Sequence, residues 1–319
     1  MPAVTPADVL SLPRVHVTNP LAVYRNTRRL VQATRQVEGE GFVVRRPFPG
    51  RLSLRDVDPF LLLDQMGSVD LAPGEAKGTP WHPHRGFETV TYMIDGALEH
   101  KDSTGGGGLI TNGGTQWMTA GAGILHIEQP DEQLVMKGGV MHGVQLWVNL
   151  PASAKMTAAK YQDINPGDVK LVTNLNGDAI IRIIAGNLGE HEGPGMTFTP
   201  ITYAHITLMP GARVVLPWRE DFSAMVYALN GRGAVGADNA PLAEAELAIL
   251  DEGDTIVITA ADKQDSRAGN FDVLVLGGLP IREPISHYGP FVMNTREQII
   301  EAMEDYQKGR MGQIPATHV

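Results

Sequence analysis

The stretch Thr91–Gly96 reads Thr-Tyr-Met-Ile-Asp-Gly, and a second stretch, Val226–Gly231, reads Val-Tyr-Ala-Leu-Asn-Gly. In both, residues that favour β-strands run directly into Asp-Gly or Asn-Gly, the dipeptides that favour tight hairpin turns. Such a repeat of strand and turn indicates a duplicated domain. We therefore expect one block from about Phe42 to Leu150 and a similar block from about Lys170 to Leu279.

The rest of the chain is also typical of short strands broken by Gly and Pro, which favours an all-β sandwich or barrel. The clearest predicted strands are Glu88–Ile94, Val144–Asn149, Ile180–Ile184, Ile201–Leu208, Ala224–Leu229, Leu247–Leu250, Thr255–Thr259 and Asp272–Leu276. One helix is predicted near the end of the chain. Thr295 and Gln298 form a capping box, an apolar stripe follows, and Gly309 ends the helix.

Composition narrows the possible classes of function. The 319 residues carry a formal charge of −10 and no cysteine, with 43% hydrophobic and 19% charged residues. Thiolate chemistry and disulfides are excluded, and an overall basic surface for nucleic acid is absent. We find no stretch typical of a membrane span or of a signal segment, and we expect a cytoplasmic protein. The arginine-rich start, from Arg14 to Arg46, is interpreted as a solvated or subunit-packing arm.

Two triplets carry metal-binding side chains. Residues i and i+2 of a strand point to the same face, so His82-Pro83-His84 would present two imidazoles together. His126-Ile127-Glu128 would likewise present an imidazole and a carboxylate. On neighbouring strands these four side chains would form a three-nitrogen, one-oxygen set suited to a transition metal. A chain with ten histidines also produces such triplets by chance, so spacing alone leaves ordinary packing open.

The remaining histidines give weaker signals. His100 is followed by Asp102 and a glycine run, and we expect that pair to be solvated near a hairpin tip. His142 precedes a predicted strand and could line a pocket, although ordinary packing explains it as well. No His-x-His triplet occurs after residue 150, so only the first block is expected to bind metal.

Six further stretches resemble the pirin family of the cupin superfamily, over about residues 36–310. They are Asp58–Asp64, His82–Tyr92, Gln116–Gly121, Gly123–His126, Gln145–Leu150 and Tyr288–Asn294. The resemblance implies two cupin barrels (double-stranded β-helices, or jelly rolls) packed face to face, with a short C-terminal helix. The expected segments are an extension at 1–35, a metal-bearing barrel at 36–155, a metal-free barrel at 156–285 and a helical end at 286–319.

The resemblance also implies a mononuclear iron site with His82, His84, His126 and Glu128 as ligands. Fe(II) is the expected metal, with Mn, Ni, Cu, Co or Zn as alternatives. The general cupin pattern would take its carboxylate from Glu88, which the pirin pattern leaves in a supporting role.

Pirin-like proteins include flavonol dioxygenases that cleave quercetin, so a small aromatic substrate such as a flavonol is expected. Glu128 would accept the substrate's proton. An apolar pocket wall is expected from Phe60, Met93, Met118 and Leu125. The alternative is a metal-dependent regulatory protein that binds a transcription factor or a metabolic enzyme. A sugar isomerase or other small-molecule cupin is disfavoured by the pirin-specific stretches.

Overall fold

The computed structural model describes residues 4–315, and β-strands dominate it. In chain order the strands and helices are β1 (Thr27–Gln32), β2 (Thr34–Glu38), β3 (Phe42–Phe48), β4 (Phe60–Leu71), β5 (Thr79–His84), β6 (Phe87–Asp95), β7 (Leu98–Asp102), β8 (Gly107–Ile110), β9 (Thr115–Thr119), β10 (Ile124–Pro130), α1 (Glu132–Lys137), β11 (Gly139–Asn149), β12 (Lys160–Ile164), β13 (Lys170–Thr173), β14 (Ala179–Ala185), β15 (Asn187–Leu188), β16 (His191–Glu192), β17 (Ile201–Leu208), β18 (Arg213–Pro217), β19 (Met225–Asn230), β20 (Arg232–Val235), β21 (Ala240–Ala243), β22 (Glu246–Leu250), β23 (Thr255–Ala260), β24 (Phe271–Gly278), β25 (Ser286–Tyr288), β26 (Phe291–Met293) and α2 (Arg296–Gln307).

Two barrels are built to one plan. The N-terminal barrel has a seven-stranded sheet, β12-β9-β6-β11-β4-β3-β2, and a four-stranded sheet, β5-β10-β7-β8. The C-terminal barrel has a seven-stranded sheet, β1-β22-β19-β24-β17-β14-β13, and a four-stranded sheet, β18-β23-β20-β21. The two strand orders correspond position by position. The expectation of an all-β, two-barrel chain is therefore confirmed.

The chain divides into two compact units that interleave along the sequence. The unit with the C-terminal barrel contains the residues up to Thr34, Pro47–Asp58 and Gly167–Pro280. The unit with the N-terminal barrel contains Arg35–Arg46, Pro59–Pro166 and the chain from Ile281 onward. The units interleave because sheet edges and covering segments come from distant parts of the chain, and the four successive segments expected from the sequence stay a prediction.

The arginine-rich start, interpreted as a solvated or subunit-packing arm, is partly built into a sheet, although Arg14, Arg28 and Arg29 are exposed. Strand β1 pairs antiparallel with β22 and forms an edge of the C-terminal sheet. Arg25 is buried, and its guanidinium donates to the carbonyl oxygens of Gly253 at 2.9 Å, Asp251 at 2.8 Å and Phe222 at 2.9 Å. These backbone acceptors compensate the cost of burying a charge.

Within residues 4–315, the two α-helices have recognisable caps, and the sequence predicts one of them. The capping box of Thr295 and Gln298 is present in α2, which confirms that prediction. The six-residue α1, capped by Asp131, is too short to produce a periodic apolar signal in the sequence. No helix within residues 4–315 has the length and apolar character needed to cross a membrane.

Candidate metal centre

Three histidines converge where β5 and β10 pair. His126 lies directly opposite His82 in the antiparallel ladder, and His84 points to the same face two residues on from His82. The ring centroids are 4.2 Å apart for His82 and His126, and 4.7 Å apart for each pair that includes His84. One nitrogen from each ring lies within 4.8 Å of the others.

The environment of His84 and His126 keeps these two rings neutral. His84 and His126 are buried, and His82 is half-buried. Burial, together with the neighbouring His82 ring, lowers the pKa of both His84 and His126 well below the usual value. Nε2 of His126 is buried and has no hydrogen-bond partner among residues 4–315. Because metal ligands must be deprotonated, two neutral imidazoles beside a third ring, with an unsatisfied nitrogen on His126, fit a divalent cation.

Glu128 lies beside the three histidines and belongs to a second, overlapping group. Its carboxylate is within 4.8 Å of nitrogens of His126 and His100, but it does not group with His82 and His84. Thr91 Oγ1 donates to Glu128 Oε1 at 2.7 Å, and Gln145 Nε2 lies 3.5 Å from Oε2. The half-buried carboxylate is thus oriented from β6 and β11.

His100 and Asp102 are buried, which overturns the expectation of a solvated pair. His100 faces Glu128 across the ladder between β7 and β10, and its Nδ1 is 3.4 Å from His126 Nδ1. Burial raises the pKa of Asp102, but the adjacent His100 ring and hydrogen bonds from Thr104 and Gly106 outweigh it and lower that pKa to about 2.

A sequence signal for this burial exists in Leu98–Asp102. Leu98, His100 and Asp102 alternate with the charged residues Glu99 and Lys101. Such a period of two is typical of a half-buried strand, with the three alternate residues inward. The glycines that follow hid this pattern, although Gly107 and Gly108 in fact begin β8.

Glu88 and His142 lie outside both ligand groups. Glu88 is buried on β6, three positions from Thr91 and hence on the opposite face of the strand. It accepts a hydrogen bond from Thr119 Oγ1 at 2.7 Å. His142 is buried on β11, with Nε2 3.0 Å from Gln65 Nε2.

The four expected wall residues are distributed among different parts of the interior. Phe60 is fully buried on β4. Met93 packs in an apolar cluster with Met66 and Met141, whereas Met118 packs with Ile124. Leu125 packs against a cluster formed by the C-terminal segment. A role of these four side chains in a substrate pocket stays a prediction.

Comparison with known proteins places this chain in a family. The pirin model matches residues 41–148, and the model of the pirin C-terminal cupin domain matches residues 203–312. A pirin-like protein of Arabidopsis thaliana is 41% identical over 302 residues, covering 92% of this chain and 93% of that protein.

Solved structures share the fold. A quercetin 2,3-dioxygenase of Acinetobacter baumannii has a TM-score of 0.85 and 38% identity, covering 92% of this chain and all of that one. A pirin of Escherichia coli in complex with nickel(II) has a TM-score of 0.59 at 17% identity, covering 79% of this chain and 99% of that one. The sequence matches span both barrels, and the chain belongs to the pirin family.

Proposed function

We propose that this protein is a metal-dependent flavonol 2,3-dioxygenase whose site uses His82, His84, His126 and Glu128. The observation that carries the proposal is the convergence of three imidazoles beside a carboxylate held by hydrogen bonds. Three nitrogens and one oxygen suit iron, and Fe(II) is the metal we propose, although other divalent transition metals bind similar donors.

The bound metal would supply Lewis acidity and an open position for dioxygen chemistry. The chain's own residues supply the remaining functions. His84 and His126 are buried, so water has limited access to their side of the site. His82 and Glu128 are half-buried and mark the side from which a substrate would enter.

Glu128 would act as the general base. A carboxylate beside the three histidines can accept the proton of a flavonol 3-hydroxyl, which makes the substrate more electron-rich. Thr91 holds Oε1 at 2.7 Å, and Gln145 approaches Oε2, so the carboxylate has a defined orientation before the substrate arrives. The name of the Acinetobacter relative supports a flavonol as the substrate class.

Turnover by the iron-loaded protein tests the proposal. We expect it to consume quercetin in air, followed by loss of quercetin absorbance together with oxygen uptake. Glu128→Gln keeps the shape of the side chain but removes the base, and should lower kcat by about 100-fold or more. Glu99→Gln is the matched control, since Glu99 points away from the site and pairs with Lys101 at 3.2 Å. Turnover no faster than with free iron would contradict the proposal.

A further inference from the structure

Arg85 follows His84 directly, and its side chain joins the two strands that carry the histidines. Its guanidinium Nε donates to the carbonyl oxygen of Ala122 at 2.6 Å. Ala122 lies in the turn before β10, the strand that carries His126. One buried guanidinium thus ties the end of β5 to the start of β10, close to two of the candidate ligands.

The other edge of this guanidinium is held by the C-terminal helix. Arg85 Nη2 is 2.8 Å from Asp305 Oδ2, and the two side chains are only 4% and 13% exposed. The main chain of Arg85 is also fixed, because Val292 N donates to its carbonyl oxygen at 3.1 Å. The C-terminal segment (Ser286–Gly312) therefore holds Arg85 by both its side chain and its backbone.

The same segment packs against the approach to His126. Met293, Ile299 and Met311 form a buried apolar cluster, and Leu125 packs against it. Gly123 lies so close to this segment that an added Cβ would come within 2.8 Å of Met311 Cγ. The residues before His126 are therefore confined by the C-terminal segment, as is the residue after His84.

Lys155 adds a further fixed point behind the ligand strand. Its buried Nζ donates to the carbonyl oxygens of Gly86 at 2.8 Å and Val292 at 3.0 Å, and to Asn149 Oδ1 at 2.7 Å. Gly86 is thus held against β26 independently of Arg85. Loss of the Arg85–Asp305 ion pair would leave β5 paired with β10 in the sheet, but it would free the guanidinium that donates to Ala122 in the turn before β10.

From these contacts we infer that Arg85 and Asp305 are positioning residues for the metal centre, setting the spacing of His84 and His126 without touching the metal. The inference rests on the proposed metal site. Groups that orient metal ligands contribute substantially to affinity, and replacing them commonly weakens binding by about 10- to 100-fold. Breaking a buried ion pair also leaves a charge without its partner, so the strand ends would shift to solvate it.

The test is Co(II) affinity of the full chain, measured by competition with a chelator. Asp305→Asn and Arg85→Lys should each bind Co(II) about 10- to 100-fold more weakly and show an altered visible absorption spectrum of the bound Co(II). Asp305→Glu should recover part of the loss. The matched control is Glu304→Gln, the adjacent helix residue, which is 54% exposed and pairs with Lys308. It should bind like the parent.

Circular dichroism shows at which temperatures each variant is folded, and Co(II) affinities are compared only at those temperatures. If Asp305→Asn does not fold, Arg85→Lys decides the question. Parent-like Co(II) affinity and spectra in both variants would overturn the positioning role while leaving the metal site intact. By contrast, a parent protein that binds Co(II) no more tightly than His84→Ala would overturn the metal site itself, and the positioning role with it.

Discussion

The two barrels share one strand order but differ at the positions that face inward. In the N-terminal barrel, β5 and β10 pair through His82 with His126 and His84 with Ile124. The corresponding strands of the C-terminal barrel, β18 and β23, pair through apolar residues that are fully buried. These are Val214 with Ile258, and Leu216 with Ile256.

The supporting polar residues differ in the same way. Thr91 pairs with Gln145 between β6 and β11, whereas Val226 pairs with Val275 at the matching place between β19 and β24. In the C-terminal barrel the buried cluster that contains Val214, Ile258 and Val226 is apolar, whereas the buried His205 lies next to Asp272, at 3.6 Å, on the opposite face of β17 from Ile206. Burying imidazoles in the N-terminal barrel is unfavourable for folding, and such unfavourable residues are expected at functional sites.

The largest expected effect is on metal affinity. It comes from replacing one proposed ligand of the N-terminal barrel with the residue at the corresponding position of the C-terminal barrel. His84→Leu introduces the residue found at the corresponding position, Leu216. Removing one of three converging nitrogens should weaken Co(II) binding by at least about 100-fold, more than the loss of a supporting group. Titration against a competing chelator measures the affinity.

His287→Leu is the control, because His287 is exposed on β25 and its Nε2 lies 2.9 Å from the carbonyl oxygen of Gly289 in its own turn. It should bind Co(II) as the parent does. Equal affinity of His84→Leu and the parent would show that the metal is held elsewhere.

The sequence predicts strands that have a clear local pattern, but it does not predict which distant strands pair. Strand Ile201–Leu208 was predicted with the bounds found in the structure, because its β-branched run ends cleanly at Met209-Pro210-Gly211. The N-terminal strand β1 was missed as a sheet edge, since its partner β22 is more than 200 residues away in sequence. Pairing over such a distance leaves no local signal.

In the candidate site, too, local spacing predicts neighbouring residues but not contacts between distant parts of the chain. The i, i+2 rule placed His82 beside His84, and a shared ladder brought His126 opposite. Spacing could not reveal that Arg85 is held by Asp305, because nothing near Arg85 in the sequence indicates an acidic partner on a distant helix. His100 was missed for a different reason: the glycine run after it outweighed the alternation in Leu98–Asp102.

A second substitution concerns Asp102, which occupies the ladder position of Val235 in the C-terminal barrel. The pKa of Asp102 is lowered to about 2 in the folded protein, from an ordinary value of 3.8. A lowered carboxyl pKa contributes stability above pH 4, and that contribution is lost as the pH falls from about 4 to 2. Asp102→Asn should therefore lower the free energy of unfolding at pH 7 by about 2 kcal/mol.

Urea denaturation at several pH values measures this effect. The gap between Asp102→Asn and the parent should narrow as the pH drops below about 4. Asp221→Asn is the control, because Asp221 pairs with Arg219 on the surface, where ion pairs contribute at most about 1 kcal/mol. A gap as wide at pH 3 as at pH 7 would rule out ionised Asp102 as its source.

The smallest expected effect is a gain in the free energy of unfolding, whereas Asp102→Asn is expected to lower it. His126→Ile introduces the residue found at the matching position of the C-terminal barrel, Ile258, and removes a buried Nε2 that has no hydrogen-bond partner among residues 4–315. Its Nδ1 contact with His100, at 3.4 Å, is long for a hydrogen bond, so little is lost with it. Since isoleucine also favours strands, the metal-free variant should be about 1 kcal/mol more stable than the parent.

Urea denaturation in the presence of a chelator measures this difference. Adding Co(II) should reverse the order, because a ligand that binds only the folded parent stabilises only the parent. The converse substitution, Ile258→His, buries an imidazole in the apolar barrel and should cost about 1–3 kcal/mol. If His126→Ile were instead less stable without metal, the imidazole at 126 would contribute to folding itself, and the polar interior of the N-terminal barrel would need no metal to explain it.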